Sequence, residues 1–355
     1  MLRKLLTIAT IAVAPTTIAL SQDSTKKATL NISGSLDAYY RYNFANAKDS
    51  FPRQINNKTS FTNSQNSFEL GMASVKLDGT IGNVGATVDL GFGTRASEFS
   101  YNESGSLAAV KQAFLTFAPS SKIKFTLGKW GTHVGYEVLD AYLNRNYSMD
   151  YMFSFGPFSH TGLKADITIG SGFGLMLGVA NPTDYTSASF GKKNFLAQLS
   201  GATKNGKLKG FLNYVGGKDF SGDNSINQVD LVLTGTITDK FSIGYNGTVK
   251  SVKPSGGDAN SWWGSALYLN VDPSSLFGLT LRGEYFDDTK GVAGISTSIF
   301  DATLSANFRI DNLTIIPEFR LDSGKDPVFY KNGDSNNSPT SKSTGSFILA
   351  ATYHF

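Results

Sequence analysis

One pattern runs from about residue 29 to the last residue of this chain: short segments in which every second side chain is apolar and those between are polar. In the first, Leu30, Ile32, Leu36, Ala38, Tyr40, Tyr42 and Phe44 share one face, and Asn31, Ser33, Ser35, Asp37, Arg41 and Asn43 share the other. Successive strand residues point to opposite faces, so this alternation marks a strand with one apolar and one polar side. A soluble sandwich could contribute one such strand. The repetition decides. Sixteen segments alternate, roughly at 29–44, 67–78, 83–93, 108–118, 122–130, 157–169, 172–181, 192–202, 207–216, 226–238, 240–250, 260–271, 278–288, 298–309, 312–322 and 344–355. Most reach the roughly ten residues with which a tilted strand crosses a bilayer. The segments at 67–78 and 108–118 are less regular, and the first changes phase near Met72, where a bulge is expected.

The connections carry an independent pattern. Seven short ones, such as Gly79–Gly82 and Ile310–Asp311, alternate with eight long ones, such as Ala45–Asn66 and Ser323–Ser343. Strict alternation is expected of a barrel with one periplasmic and one external rim. The last segment alternates Phe347, Leu349, Ala351, Tyr353 and Phe355 to the terminus, and an apolar strand there would be a liability unless it pairs with the first and closes the sheet. The expected fold is therefore all-β: a transmembrane antiparallel β-barrel of about sixteen strands, with short periplasmic turns and long extracellular loops.

Composition agrees. The 355 residues include 37 Gly, 26 Phe and 15 Tyr but only 17% charged residues, which suits half-exposed strands joined by turns. Residues 1–21 read as a signal peptide: Arg3 and Lys4, an apolar run from Leu5 to Ala14, and Ala19-Leu20-Ser21 at the cleavage site. Residues 22–355 would then form the barrel. There is no Cys, hence no disulfide, thiolate metal site or lipid-modified cysteine. Without Arg3 and Lys4 the 32 basic residues become 30 against 28 acidic ones, and no basic cluster points to nucleic acid.

The runs GSLDAYYRYNF (Gly34–Phe44), NSFELGMASVKL (Asn66–Leu77), VKQAFLTFAP (Val110–Pro119), FTLGKWGTHVGYE (Phe125–Glu137), LNRNYS (Leu143–Ser148), GPFSHTG (Gly156–Gly162), LRGEYFDD (Leu281–Asp288), IIPEFRLD (Ile315–Asp322) and the terminal TYHF occur in order. Together they resemble the β-barrel porin-2 (OmpL-like) family of Gram-negative outer membranes. The resemblance spans the mature chain and implies a barrel with a porin role in the bacterial outer membrane, without naming a solute. A terminal Phe after alternating aromatics also resembles the signal read by the barrel assembly machinery, which would make that machinery, through the strand ending at Phe355, a partner beside outer-membrane lipid.

Among the connections, 131–156 is the longest stretch that reads as neither strand nor tight turn, and by count it follows the fifth strand. In general porins the connection at this place folds into the lumen and narrows the pore. Tyr136 to Asn146 is expected to form about three helical turns, with Glu137, Asp140 and Asn144 on a polar stripe toward the channel and Tyr136, Leu139 and Leu143 on an apolar stripe toward the wall. With Arg145 and Asp150 these polar residues make the candidate constriction. The alternative is a surface loop held by its aromatics.

Strand phase turns Arg41, Lys124, His160, Lys164, Lys207, Lys209, Lys250, Arg282, Arg309 and Arg320 toward the lumen, against Asp37, Asp89, Asp166, Asp230, Glu284, Asp301, Glu318 and Asp322. Leaving out the neutral His160, that is nine bases against eight acids, so weak ion selectivity is expected. Arg282, Glu284, Asp301, Arg309, Glu318 and Arg320 could line the channel as a charge ladder, or could form a structural ion-pair network. Tyr42, Phe44, Trp263, Phe308 and Phe355 lie near strand ends, where interfacial girdles sit. No Ser-His-acid set or His metal spacing is present, so neither enzyme, cofactor nor metal site is expected. The expected function is passive diffusion of small hydrophilic solutes through an outer-membrane pore, with a homotrimer compatible with sixteen strands. The alternative is a plugged barrel whose outer loops bind a partner.

Overall fold

The computed structural model describes residues 27–50, 53–334 and 338–355; the expected signal segment at 1–21 lies outside them. The strands are β1 (Ala28–Asn43), β2 (Ser67–Ile81), β3 (Val84–Phe92), β4 (Val110–Ser120), β5 (Ile123–Gly131), β6 (Ser159–Gly170), β7 (Phe173–Ala180), β8 (Asn194–Ala202), β9 (Leu208–Lys218), β10 (Ser225–Thr238), β11 (Phe241–Lys253), β12 (Asn260–Ser274), β13 (Phe277–Asp287), β14 (Ser298–Ile310), β15 (Leu313–Gly324) and β16 (Ser343–His354). Each pairs antiparallel with its neighbours in sequence, and β1 pairs with β16 to close the barrel. The seam runs from Ser35↔His354 to Asn43↔Ser346, extended by Phe355 N–H donating to the Gly34 carbonyl at 3.0 Å. Closure leaves no sheet edge, as a bilayer requires.

The faces follow the alternation. Along β14, Asp301, Thr303, Ser305 and Asn307 are buried inward, while Phe300, Leu304 and Phe308 are exposed on the outer wall. Aromatics gather at both rims: Trp263 beside Tyr285 at the outer one (centroids 5.4 Å), and Phe277 beside Phe308 at the inner one (5.1 Å). The phase change near Met72 is a bulge. Asp37 pairs with Met72 but Ala38 pairs with Leu70, leaving Gly71 extra. A side chain at Gly71 would collide with the Asp37 carboxylate and the Tyr147 hydroxyl. The short connection expected at 272–277 is tighter than that, because β12 continues to Ser274 through a register shift after Val271. That irregularity accommodates Pro273, which cannot donate to a ladder.

The packed core lies inside the cylinder, between wall and inward-folded loops. The second long loop carries helix α1 (Thr94–Phe99), which buries Arg95, Ala96 and Phe99. Tyr151, Met152, Trp262, Tyr268, Phe286 and Ile299 form one buried cluster, and Phe61, Phe99, Met149, Phe153 and Phe158 another.

If the outward face meets lipid, Leu304→Arg at the centre of β14 should cost about 2–4 kcal/mol, and a position nearer a rim should cost less. Urea unfolding in phospholipid vesicles checks this; an unchanged midpoint would contradict the assigned face.

Candidate pore constriction

The connection between β5 and β6 does not form the expected three-turn helix. It contains a single 3-10 turn (Ala141–Leu143) and a one-turn helix α2 (Tyr151–Ser154), capped by Asp150, which accepts from Phe153 N–H at 2.6 Å. The rest is irregular, because the wall supplies the partners that a helix would otherwise supply to itself. Glu318 accepts from Tyr147 N–H (2.7 Å) and Ser148 N–H (3.0 Å). Glu284 accepts from Tyr151 N–H (2.7 Å) and Met152 N–H (2.9 Å). Gly135 and Tyr136 N–H donate to Asp230 and Asn246. The carbonyls are met too: Arg282 donates to Ser148 O at 2.8 Å and Arg320 to Met149 O at 2.6 Å. The segment therefore crosses the lumen from β5 to the far wall, β12–β15.

Its side chains complete the attachment. Glu137 is buried against Arg282 at 2.6 Å, and Arg282 also reaches Asp301 at 3.0 Å. Asp301 is shared with Arg320 at 2.6 Å, which in turn grips Asp322 at 2.8 Å. The Tyr268 hydroxyl donates to Asp150 at 2.7 Å, and its ring stacks on Tyr136 with centroids 4.0 Å apart. Tyr147 donates to Asp37 at 3.0 Å and Tyr151 to Asp322 at 2.9 Å. Arg95 lies over the Tyr147 ring at 4.9 Å and donates to the Leu139 carbonyl. Burial raises the Glu137 and Asp150 carboxyls above the ordinary range, against the pull of Arg282.

The expected stripes do not hold. Glu137 turns into the wall, Asp140 reaches Lys111 at 2.6 Å, and Asn144 folds back on Val138 O at 2.6 Å, so the three diverge. Leu143, expected on the wall, is exposed. Asp150 is fully buried rather than channel-facing. Arg145 is half-exposed, bidentate on Asp272 at 3.0 and 2.9 Å with its Nε on Thr280. On the wall, Arg282, Glu284, Glu318 and Arg320 face inward but are covered by the loop, so they do not line open water. Arg41 is likewise covered, donating to the carbonyls of Ile55, Asn56 and Ser64 and holding the first long loop inward. His160 is buried beside His133, ring centroids 5.3 Å apart. Only Lys164 and Arg309 of that set meet the lumen, beside Asp166 (3.4 Å) and Asp272 (2.9 Å) respectively. Arg95, Tyr147, Tyr151 and Tyr268 were not among the expected site residues. For Tyr268, inward phase was the available signal; for those on loops, none was.

Cavities lie at successive levels inside the barrel, one of about 410 Å³ at the short-turn end beside Lys124, Asp166, Gln198 and Ser200. An outer one of about 770 Å³ is lined by Tyr101, Phe158, Asp184 and Lys250. A middle one of about 240 Å³ lies between Lys111, Leu139 and Phe158. An inner one of about 470 Å³ is lined by Arg145, Gln198, Phe211, Asn213 and Asn270. Phe158 borders the outer and middle spaces, and Glu137, Val138 and Leu143 border the middle and inner ones. Leu139, Asp140 and Leu143 of the connection line the middle cavity together with Lys111 and Gln112 of β4. At the outer cavity Asp184 accepts from Phe158 and Ser159 N–H at 2.8 and 2.7 Å, and burial pushes its carboxyl up to about 6.

The sequence profile of the family described as "Putative beta-barrel porin-2, OmpL-like" matches residues 29–355. No curated protein sequence matches the chain. Among solved structures, an anion-selective porin from Comamonas acidovorans superposes with a TM-score of 0.63 at 11% identity, covering 93% of this chain and 100% of that one. The outer membrane channel DcaP of Acinetobacter baumannii gives 0.63 at 11%, covering 92% and 97%. OmpT of Vibrio cholerae in its trimer form gives 0.60 at 11%, covering 92% and 99%. At such identities the likeness is one of fold.

Glu318→Gln keeps the shape but loses the charge that serves two backbone N–H groups, and should destabilise the barrel by about 1.5–3 kcal/mol and broaden current fluctuations. Urea unfolding and single-channel records check both; an unaltered variant would contradict the anchoring role. Asp184 titrates higher folded than free, so its stabilising contribution is complete below about pH 4 and lost as pH rises through about 6. Asp184→Asn should remove roughly 3 kcal/mol of pH-dependent stability over that window, read as a flatter profile of urea midpoint against pH.

Proposed function

The chain belongs to the β-barrel porin-2, OmpL-like family, and we propose that small hydrophilic solutes diffuse passively through its lumen, with the β5–β6 connection setting the size limit. The observation carrying this reading is the loop pinned across the barrel between the outer and inner cavities. A wet space on each side of a protein-lined narrowing is what a diffusion pore needs, and transport down a gradient needs no cofactor or catalytic group. Outer-membrane lipid surrounds the exposed aliphatic wall. The barrel assembly machinery would engage β16 and Phe355. A homotrimer is supported by the likeness to a porin with a trimer form.

Purified, refolded protein in planar bilayers should show discrete conductance steps. Their absence from protein shown to be folded by heat-modifiable gel migration would overturn the channel reading and favour a plugged barrel. Deleting 137–150 should raise unit conductance by about two-fold or more if that segment is the narrowest resistance in series; an unchanged conductance would move the constriction elsewhere.

A further inference from the structure

We propose that the pore prefers anions, an inference resting on the reading of the chain as an open diffusion channel. The inward-facing bases and acids are nearly equal in number along the strands, but burial sorts them by sign. Most of the acids are used up in fixing loops. Glu284 and Glu318 are fully buried, each satisfied by two backbone N–H groups, and Asp301 sits between two guanidinium groups. Such carboxylates are met at contact distance and are withdrawn from the water that carries ions.

What remains wet in the inner half of the lumen has the opposite bias. Asp166 is shared by two lysines, Lys164 at 3.4 Å and Lys124 at 4.0 Å. Asp272 is shared by two arginines, Arg145 and Arg309, each at 2.9 Å. Each carboxylate is therefore outnumbered two to one, so each group carries a net positive charge. Lys209 adds another: it is exposed, and its register places it on the inward side of β9 below Phe211 and Asn213. Lys76 with Asp78 at 2.9 Å is neutral as a unit. Lys111, shared by Asp89 at 3.2 Å and Asp140 at 2.6 Å, makes a group of the opposite sign, but it lies at the middle cavity with Lys111 and Asp89 buried. At the outer cavity the acids are engaged by the protein. Glu98 accepts from Phe61 N–H at 2.8 Å, Asp184 caps the start of β6, Asp219 accepts from Gly222 N–H at 2.9 Å, and Lys250 on the same lining donates to the Phe155 carbonyl at 3.1 Å.

The lumen is only a few Debye lengths across at physiological salt, so a vestibule with this excess raises local anion concentration and lowers that of cations. The class of solute this favours is the small hydrophilic anion, including carboxylates and inorganic phosphate.

Reversal potentials under a potassium chloride gradient test it. The wild-type chain should show a chloride-to-potassium permeability ratio above one. Lys124→Gln, Lys164→Gln and Lys209→Gln combined should lower that ratio about two- to three-fold, from charges acting across a few ångströms of water. Asp166→Asn should raise it, so opposite shifts from neighbouring sites separate electrostatics from misfolding. A cation-sign potential in the wild type, or a ratio insensitive to both variants, overturns the anion preference while leaving the channel intact. A folded wild-type protein without conductance steps overturns the channel reading and this inference together.

Discussion

Two buried carboxylates, Glu284 and Glu318, hold the arrangement of the lumen. Each faces inward from an adjacent region of the far wall and receives two consecutive backbone N–H groups of the β5–β6 connection. A backbone without helix or ladder cannot be buried unless something else meets its polar groups. A carboxylate is the only side chain that offers two strong acceptors at the spacing of neighbouring amides. With these fixed, α2 is positioned, the Tyr151 ring stacks on Phe286, which packs against Trp262, and the cavities acquire their borders.

The guanidinium groups of Arg282 and Arg320 do the complementary work. They meet the loop carbonyls and at the same time hold Glu137, Asp301 and Asp322. Removing one member of such a buried set leaves charges without partners, at a cost of about 3–5 kcal/mol. The set is therefore mutually dependent. It also explains why the polar inner face of β13–β15 does not act as an open charge ladder: its charges serve the segment lying on it.

The wall was legible in the sequence and the inward-folded loops were not. Alternation of period two is local, so β14 could be assigned its inner Asp301 and outer Leu304 from neighbours alone. The phase slip at Met72 is a local signal too, and corresponds to the extra Gly71. The rank of the long connection followed from counting. By contrast, helix periodicity over 136–146 was misleading, because the competing partners of that backbone, Glu318, Glu284 and Asp230, lie far away in sequence. The same distance hid the sorting of charges. Phase shows that Arg282 and Lys164 both point inward, but only the tertiary contact of Arg282 with Glu137 separates a covered charge from a wet one.

The β5–β6 connection also touches both strands that meet where the cylinder closes. Tyr147 reaches Asp37 on β1, and the ring of Tyr142 stacks on His354 of β16 with centroids 4.8 Å apart. The first and last strands are thus clasped from within as well as stitched edge to edge. Parting them strips the clasp, and withdrawing the connection weakens the stitching, so the two depend on each other. The segment proposed as the constriction is at the same time a fastener of the cylinder, so widening the passage there would also loosen the wall.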